Sequence, residues 1–122
     1  MNMNNVMLVG RLCQDIEVKK LDTGKEVTKV CLAVNRSFKN PDGEYETDFV
    51  DCILWDGMAN NLSEYCKKGY VIGVRGRIQT STYEKDDVKH KVVEVIAERI
   101  TFLSSHREEE QAEAKNNKKK AE

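Results

Sequence analysis

This sequence has no excess of charge of either sign, no long apolar run, no CxxC pair and no phosphate-binding loop. Its 20 Lys and Arg stand against 21 Asp and Glu, a net charge of -1, so the overall basic signature of many nucleic-acid binders is missing. The longest apolar stretches fall far short of the roughly 20 residues needed to cross a bilayer. Met1 to Asn5 carry no basic segment and Val6 to Val9 is too short for the apolar core of a signal peptide, so a cytoplasmic protein without membrane association is expected. Cys13, Cys31, Cys52 and Cys66 are 18, 21 and 14 residues apart, and neither His90 nor His106 has a Cys or His at ligand spacing. No metal or other cofactor is expected from this spacing, and the cysteines read as small buried apolar residues in a reducing compartment. With no nucleophile-base pairing, phosphate loop or metal spacing, the chain is not read as an enzyme.

What is present begins with a break in composition. Residues 107–122 hold five acids and five bases, with no aromatic and no branched aliphatic residue, so they cannot bury a core. The expected organisation is one domain over residues 1–105 and a polar, disordered tail over 106–122. Removing the tail leaves the charge balance of the domain unchanged, so no basic domain is hidden behind it.

Within the domain, apolar and polar residues alternate with period two between turn residues, the mark of a mainly β chain. Strands are expected at Val6 to Leu12, about Val27 to Phe38, Tyr45 to Trp55, Tyr70 to about Tyr83 and about Val88 to Leu103. Turns fall at Asp22-Thr23-Gly24-Lys25 and Asn40-Pro41-Asp42-Gly43, with a four-residue hairpin tip at Glu84-Lys85-Asp86-Asp87. One amphipathic helix is expected from Asp56 to Lys68, with Asp56 as cap, an apolar stripe that includes Leu62 and Tyr65, and Gly69 as its stop. Five strands with a helix between the third and fourth is the order of an all-β OB-fold, a five-stranded Greek-key barrel that binds extended polymers across its second and third strands.

The positions of the aromatics carry the functional argument. In the third strand Val50, Cys52 and Leu54 take the core parity, which turns Phe49 and Trp55 outward, about 20 Å apart on one face. In the fourth, Arg75, Arg77 and Tyr83 share a face. Phe38 ends the second strand beside Arg36 and Lys39. Rings interleaved with cations suit single-stranded nucleic acid, because every base has a face to stack on and every linkage a charge to neutralise. Aromatics also pack strands for purely structural reasons, and Tyr45, Tyr65, Tyr70 and Phe102 are assigned to packing.

Four blocks then bear on family: Asn4-Asn5-Val6-Met7-Leu8-Val9-Gly10-Arg11-Leu12, Leu32-Ala33-Val34-Asn35-Arg36-Ser37-Phe38, Asp48-Phe49-Val50-Asp51-Cys52-Ile53-Leu54-Trp55, and Gly73-Val74-Arg75-Gly76-Arg77-Ile78-Gln79-Thr80. In order and spacing they resemble the bacterial single-stranded DNA-binding proteins over roughly residues 1 to 104. The resemblance implies a homotetramer of OB-folds that binds single-stranded DNA with little sequence preference and protects it in replication, recombination and repair. It places the family's base-stacking aromatics on Phe38, Phe49, Trp55 and Tyr83, and it makes Gly10, Gly73 and Gly76 barrel glycines. Two departures stand on the expected DNA face, Asp51 and Ser81. The family's acidic C-terminal tip is not found in Arg107 to Glu122, so a shortened form is expected, without recruitment of repair or replication enzymes through such a tip. The competing expectation is an OB-fold replication accessory module, primosome-like, acting chiefly through protein partners.

Overall fold

The computed structural model describes residues 3–103; the expected tail lies outside them. In chain order the elements are β1 (Val6–Leu12), β2 (Lys19–Lys20), β3 (Glu26–Lys39), β4 (Tyr45–Trp55), α1 (Asp56–Tyr65), β5 (Val71–Lys85) and β6 (Val88–Phe102). The five long strands stand where alternation predicts them, and the two-residue β2 adds a short sixth that pairs with the start of β3.

The strands run in the order β1-β5-β6-β4-β3-β2, and a second pairing between β1 and β3 closes the five long strands into a barrel. Closure is brief on that side, because β1 meets β3 only at Arg11↔Ala33 and Leu12↔Leu32. Two glycines make the tight curvature possible. A Cβ on Gly10 would lie 2.5 Å from the Ala33 carbonyl oxygen, and one on Gly76 would run into the carbonyl of Ile96, where the β5–β6 register shifts. Gly73 needs no such freedom, since the nearest atom to its added Cβ would be 3.6 Å away.

Alternation builds the core directly. Val30 and Leu32 from β3, Cys52 and Leu54 from β4, Ile72 and Val74 from β5, and Val95 and Ala97 from β6 are buried together. Helix α1 plugs one end with Ala59 and Leu62, both fully buried. Among the described residues Thr28 is the one buried polar side chain, and its hydroxyl donates to the Glu17 carbonyl at 2.8 Å, which satisfies it.

Several local expectations are corrected. The helix ends at Tyr65, three residues early, because Cys66 is already extended and the Lys68 N–H donates to Asp15 Oδ1 instead. Asp56 does not cap it: no side-chain cap bond is made, and Asp56 accepts the Glu26 N–H at 3.0 Å. Tyr65 leaves the buried stripe and is 62% exposed, leaning on Phe102 with ring centroids 6.2 Å apart. Tyr45 and Phe102 are also exposed, so of the four aromatics assigned to packing only Tyr70 packs against the core. Cys52 and Cys66 are buried as expected, while Cys13 and Cys31 are half-buried. No described helix is long and apolar enough to cross a membrane.

The turns follow their residues. Asn40 accepts the N–H groups of Asp42 and Glu44 through its side chain, and Gly43 takes φ 82° to bring β4 back. The β5–β6 hairpin turns on two residues rather than four: Asp86 and Asp87 have φ of 53° and 62°, the type I′ geometry.

Candidate nucleic-acid interface

The outer face of β3 and β4 is the centre of the site. Register pairs Ala33 with Phe49, Cys31 with Asp51, Lys29 with Ile53 and Val27 with Trp55, so these side chains project from one surface. Phe49 is 69% exposed and Trp55 37%, with the core residues Cys52 and Leu54 directly behind them. Two rings therefore stand on one strand, Phe49 near its middle and Trp55 at its end, with Asp51 and Ile53 between them on the same face. The surface continues onto β6, where Ile96 lies beside Ile53, and onto β5, where Arg77 lies opposite Ile96 and Gln79 opposite Glu94.

Phe38 is 68% exposed, at the far end of β3. By strict alternation it shares the parity of the buried Val30 and Leu32, but β3 shifts register against β4 between Asn35 and Lys39 and runs on past the core. Lys39 sits 5.6 Å from the centre of the Tyr45 ring, a cation-π contact that brings this packing-assigned tyrosine to the same hairpin end as Phe38. Tyr83, half-exposed, stacks on His90 across the β5–β6 hairpin with centroids 5.0 Å apart and planes 23° from parallel.

The cations are less free than their spacing suggests. Arg36 donates from Nε and Nη2 to both oxygens of Asp48 at 3.0 to 3.3 Å, and from Nη1 to Glu46 Oε2 at 2.5 Å. These bonds raise the Arg36 guanidinium above its ordinary value and hold the Asp48 carboxyl below its own. Lys29 lies between Asp51 and Glu94, at 3.7 and 3.4 Å, so Asp51 already has a counter-charge. Arg77 donates to Gln79 at 2.8 Å and keeps its charge uncompensated by any described carboxylate. Arg75 is not brought to the aromatics: its neighbours across the strands are Met7 on β1 and Arg99 on β6.

The structure thus places Phe49, Trp55 and Arg77 on one continuous outer surface, sets Phe38, Lys39, Arg36 and Tyr83 on the two long hairpins that extend it, and leaves Arg75 on the β1–β5–β6 face. Lys29, Glu46, Asp48, Glu94 and His90 were missed as participants. Register alone could have found most of them, because each lies directly or diagonally across from a residue already singled out. Among the described residues no His, Cys, Asp and Glu cluster could hold a metal ion.

A closed five-stranded barrel with one helix between the third and fourth long strands, carrying exposed rings on its third and fourth elements, defines an OB-fold protein with a polymer-binding face. A solved structure titled "Plasmodium falciparum SSB complex with ssDNA" has the same fold, with a TM-score of 0.77 over 85% of this chain and 97% of that one at 23% identity. The family model described as the single-strand binding protein family matches residues 3–103, and the chain belongs to that family. It is 47% identical over 111 residues to single-stranded DNA-binding protein B of Bacillus subtilis, covering 90% of this chain and 98% of that protein. It is 41% identical over 115 residues to single-stranded DNA-binding protein 3 of Streptococcus agalactiae, covering 93% and 83% respectively.

Proposed function

We propose that this protein binds single-stranded DNA with little sequence preference, stacking bases on Phe38, Phe49, Trp55 and Tyr83 and meeting phosphates with Arg77, Lys39 and Arg36. The observation that carries the reading is the pair of exposed rings, Phe49 and Trp55, held on one rigid strand with the core behind them. A ring fixed by the sheet offers its face to a base with little further ordering cost, and every base has a face to offer. The family to which the chain belongs supports the same reading, as does the single-stranded DNA named with the structural neighbour. In this reading the protein is a non-enzymatic, cytoplasmic factor that covers exposed strands during replication, recombination and repair.

Self-association belongs to the proposal. From Val6 to Gly10, β1 is paired with β5 on one side and has no strand partner on the other among the described residues. Met7 and Val9 stand exposed along it. An open, apolar strand edge is a template for a second strand, and a second copy of the chain through β1 fits a homotetramer. Arg75 sits beside Met7 on this face, so in such an assembly it serves the joint between copies rather than the DNA track.

Trp55 is the only tryptophan, which makes the test direct. Titration with oligo-dT is expected to quench its fluorescence to saturation, with similar affinity for mixed-sequence oligonucleotides of the same length. An unchanged signal at low salt together with no shift in mass by light scattering would overturn the reading.

A further inference from the structure

Four carboxylates on the β3–β4–β6 sheet hold two cations, Asp51 and Glu94 on Lys29 beside Phe49 and Trp55, and Glu46 and Asp48 on Arg36 across the β3–β4 hairpin, at the parity Arg36 shares with Phe38. The contacts at Arg36 have a particular form. Asp48 presents both oxygens to Nε and Nη2 while Glu46 takes Nη1. A guanidinium grips phosphate through the same planar fork, two parallel N–H donors to two oxygens. The donors that a DNA phosphate would use are therefore already taken by a group of matching charge and shape. We propose that Glu46 and Asp48 are built-in competitors for backbone phosphates at Arg36 and set how strongly this protein reads the charge of a bound strand. The inference rests on the proposal that the ligand is single-stranded DNA.

The competition runs on the protein's own surface. To reach Arg36 a phosphate must displace Asp48, leaving two carboxylates without their cation beside an anionic polymer. The Arg36 charge is already neutralised before the strand arrives, so the exchange frees two carboxylates for one new phosphate contact, and the gain in affinity from that site is small. Because the Arg36 hydrogen bonds hold the Asp48 carboxyl below its ordinary range, Asp48 remains ionised at neutral pH and competes throughout. Lys29, held between Asp51 and Glu94, shows the same economy of free charge on the face of Phe49 and Trp55.

An opposite role is open to the same carboxylates: they could orient Arg36 toward the strand, in which case removing them would weaken binding. The full chain carrying both E46Q and D48N distinguishes the two, with affinity for fluorescein-labelled oligo-dT measured by anisotropy over a range of NaCl concentrations. The competing role predicts about fivefold tighter binding at low salt and a slope of log affinity against log salt steeper by about 0.7, one further phosphate neutralised. Glu44 lies in the same hairpin and makes no ion pair among the described residues, so E44Q measures the effect of losing one negative charge alone, and twice its change in log affinity is the E44Q level against which the double variant, which loses two, is read. Adding R36A to the double variant should reduce the gain to the E44Q level. Binding of the double variant that is weaker than wild type, or no tighter than the E44Q level, overturns the inference while wild-type binding to oligo-dT leaves the DNA reading standing. Failure of the wild type itself to bind oligo-dT removes the DNA reading and the inference with it.

Discussion

Replacing Phe49 by alanine separates stacking from packing. The ring is 69% exposed, so less than a third of its surface is held by the fold. Truncating a fully buried phenylalanine costs about 3 to 5 kcal/mol, and scaling that to the part actually covered gives a stability loss of about 1 kcal/mol. Base-aromatic stacking, in a general figure drawn from OB-fold proteins of this class, contributes about 1 to 3 kcal/mol per base. That converts to a loss of about 5-fold to 150-fold in Kd, so the binding effect should exceed the stability effect. Trp55 is six residues along the same strand, about 20 Å away, and survives as the reporter of binding. Oligo-dT titration followed by Trp55 fluorescence gives the affinity, and thermal melts of the same samples give the stability. A Kd within about twofold of wild type, with the fold intact, would refute the stacking role. So would a loss confined to particular base sequences, since a stacking platform serves every base alike.

Three further outcomes test how the scaffold is built. Gly76→Ala should destabilise the barrel by about 3 kcal/mol in urea melts, because its Cβ would collide with the Ile96 carbonyl, whereas Gly73→Ala should cost under about 1 kcal/mol; equal losses would show that the close approach at Gly76 is not what matters. Asp87→Gly should stabilise by about 0.5 kcal/mol, since Asp87 sits at φ 62° and glycine takes that region without a Cβ penalty; a lower melting temperature would contradict this. Burial pushes the Cys52 thiol up from 9.0 to about 12, so the unfolded chain releases that proton first as pH rises. The stability contribution of the neutral thiol is then complete below about pH 9 and is lost progressively toward pH 12. Urea melts across that range should show an alkaline decline that Cys52→Val makes shallower.

Much of the site was readable because a strand ties direction to parity. Once Val50, Cys52 and Leu54 are given to the core, Phe49 and Trp55 have nowhere to point but outward, and the barrel shows them there. What escaped the reading depends on register, which alternation does not carry. A four-residue tip at Glu84 to Asp87 would set Tyr83 across from Val88; the two-residue tip instead sets it across from His90, and the stacked pair follows. Likewise Arg36 finds Asp48 and Glu46 only because the Asn40–Gly43 turn brings β4 back at that offset. The helix cap failed for a related reason: Asp56 has φ 49° and spends its carboxylate on Glu26, thirty residues back in the chain, a tertiary partner that no local rule supplies. Phe38 is exposed as expected, but through the register shift before Lys39 and not through its parity, and its neighbouring cations turn to other partners, Lys39 to Tyr45 and Arg36 to Asp48 and Glu46.

The pairing of β1 with β5 has a consequence in time. Val6 lies opposite Gly76, and Asn4 exchanges hydrogen bonds with Ile78, 74 residues away. At a synthesis rate of about 5 to 20 residues per second, the first strand emerges and then waits several seconds for its partner. During that wait the β3–β4 hairpin can form from local contacts, while the apolar edge of β1 stays uncovered. Folding dominated by such distant pairing is slow for the size of the chain, and β1 cannot take its place against β5 until residues 71–76 have been made. The strand proposed to join one copy to another is thus the one that each copy must first secure for itself, and crowding of nascent chains is the condition under which the two pairings compete.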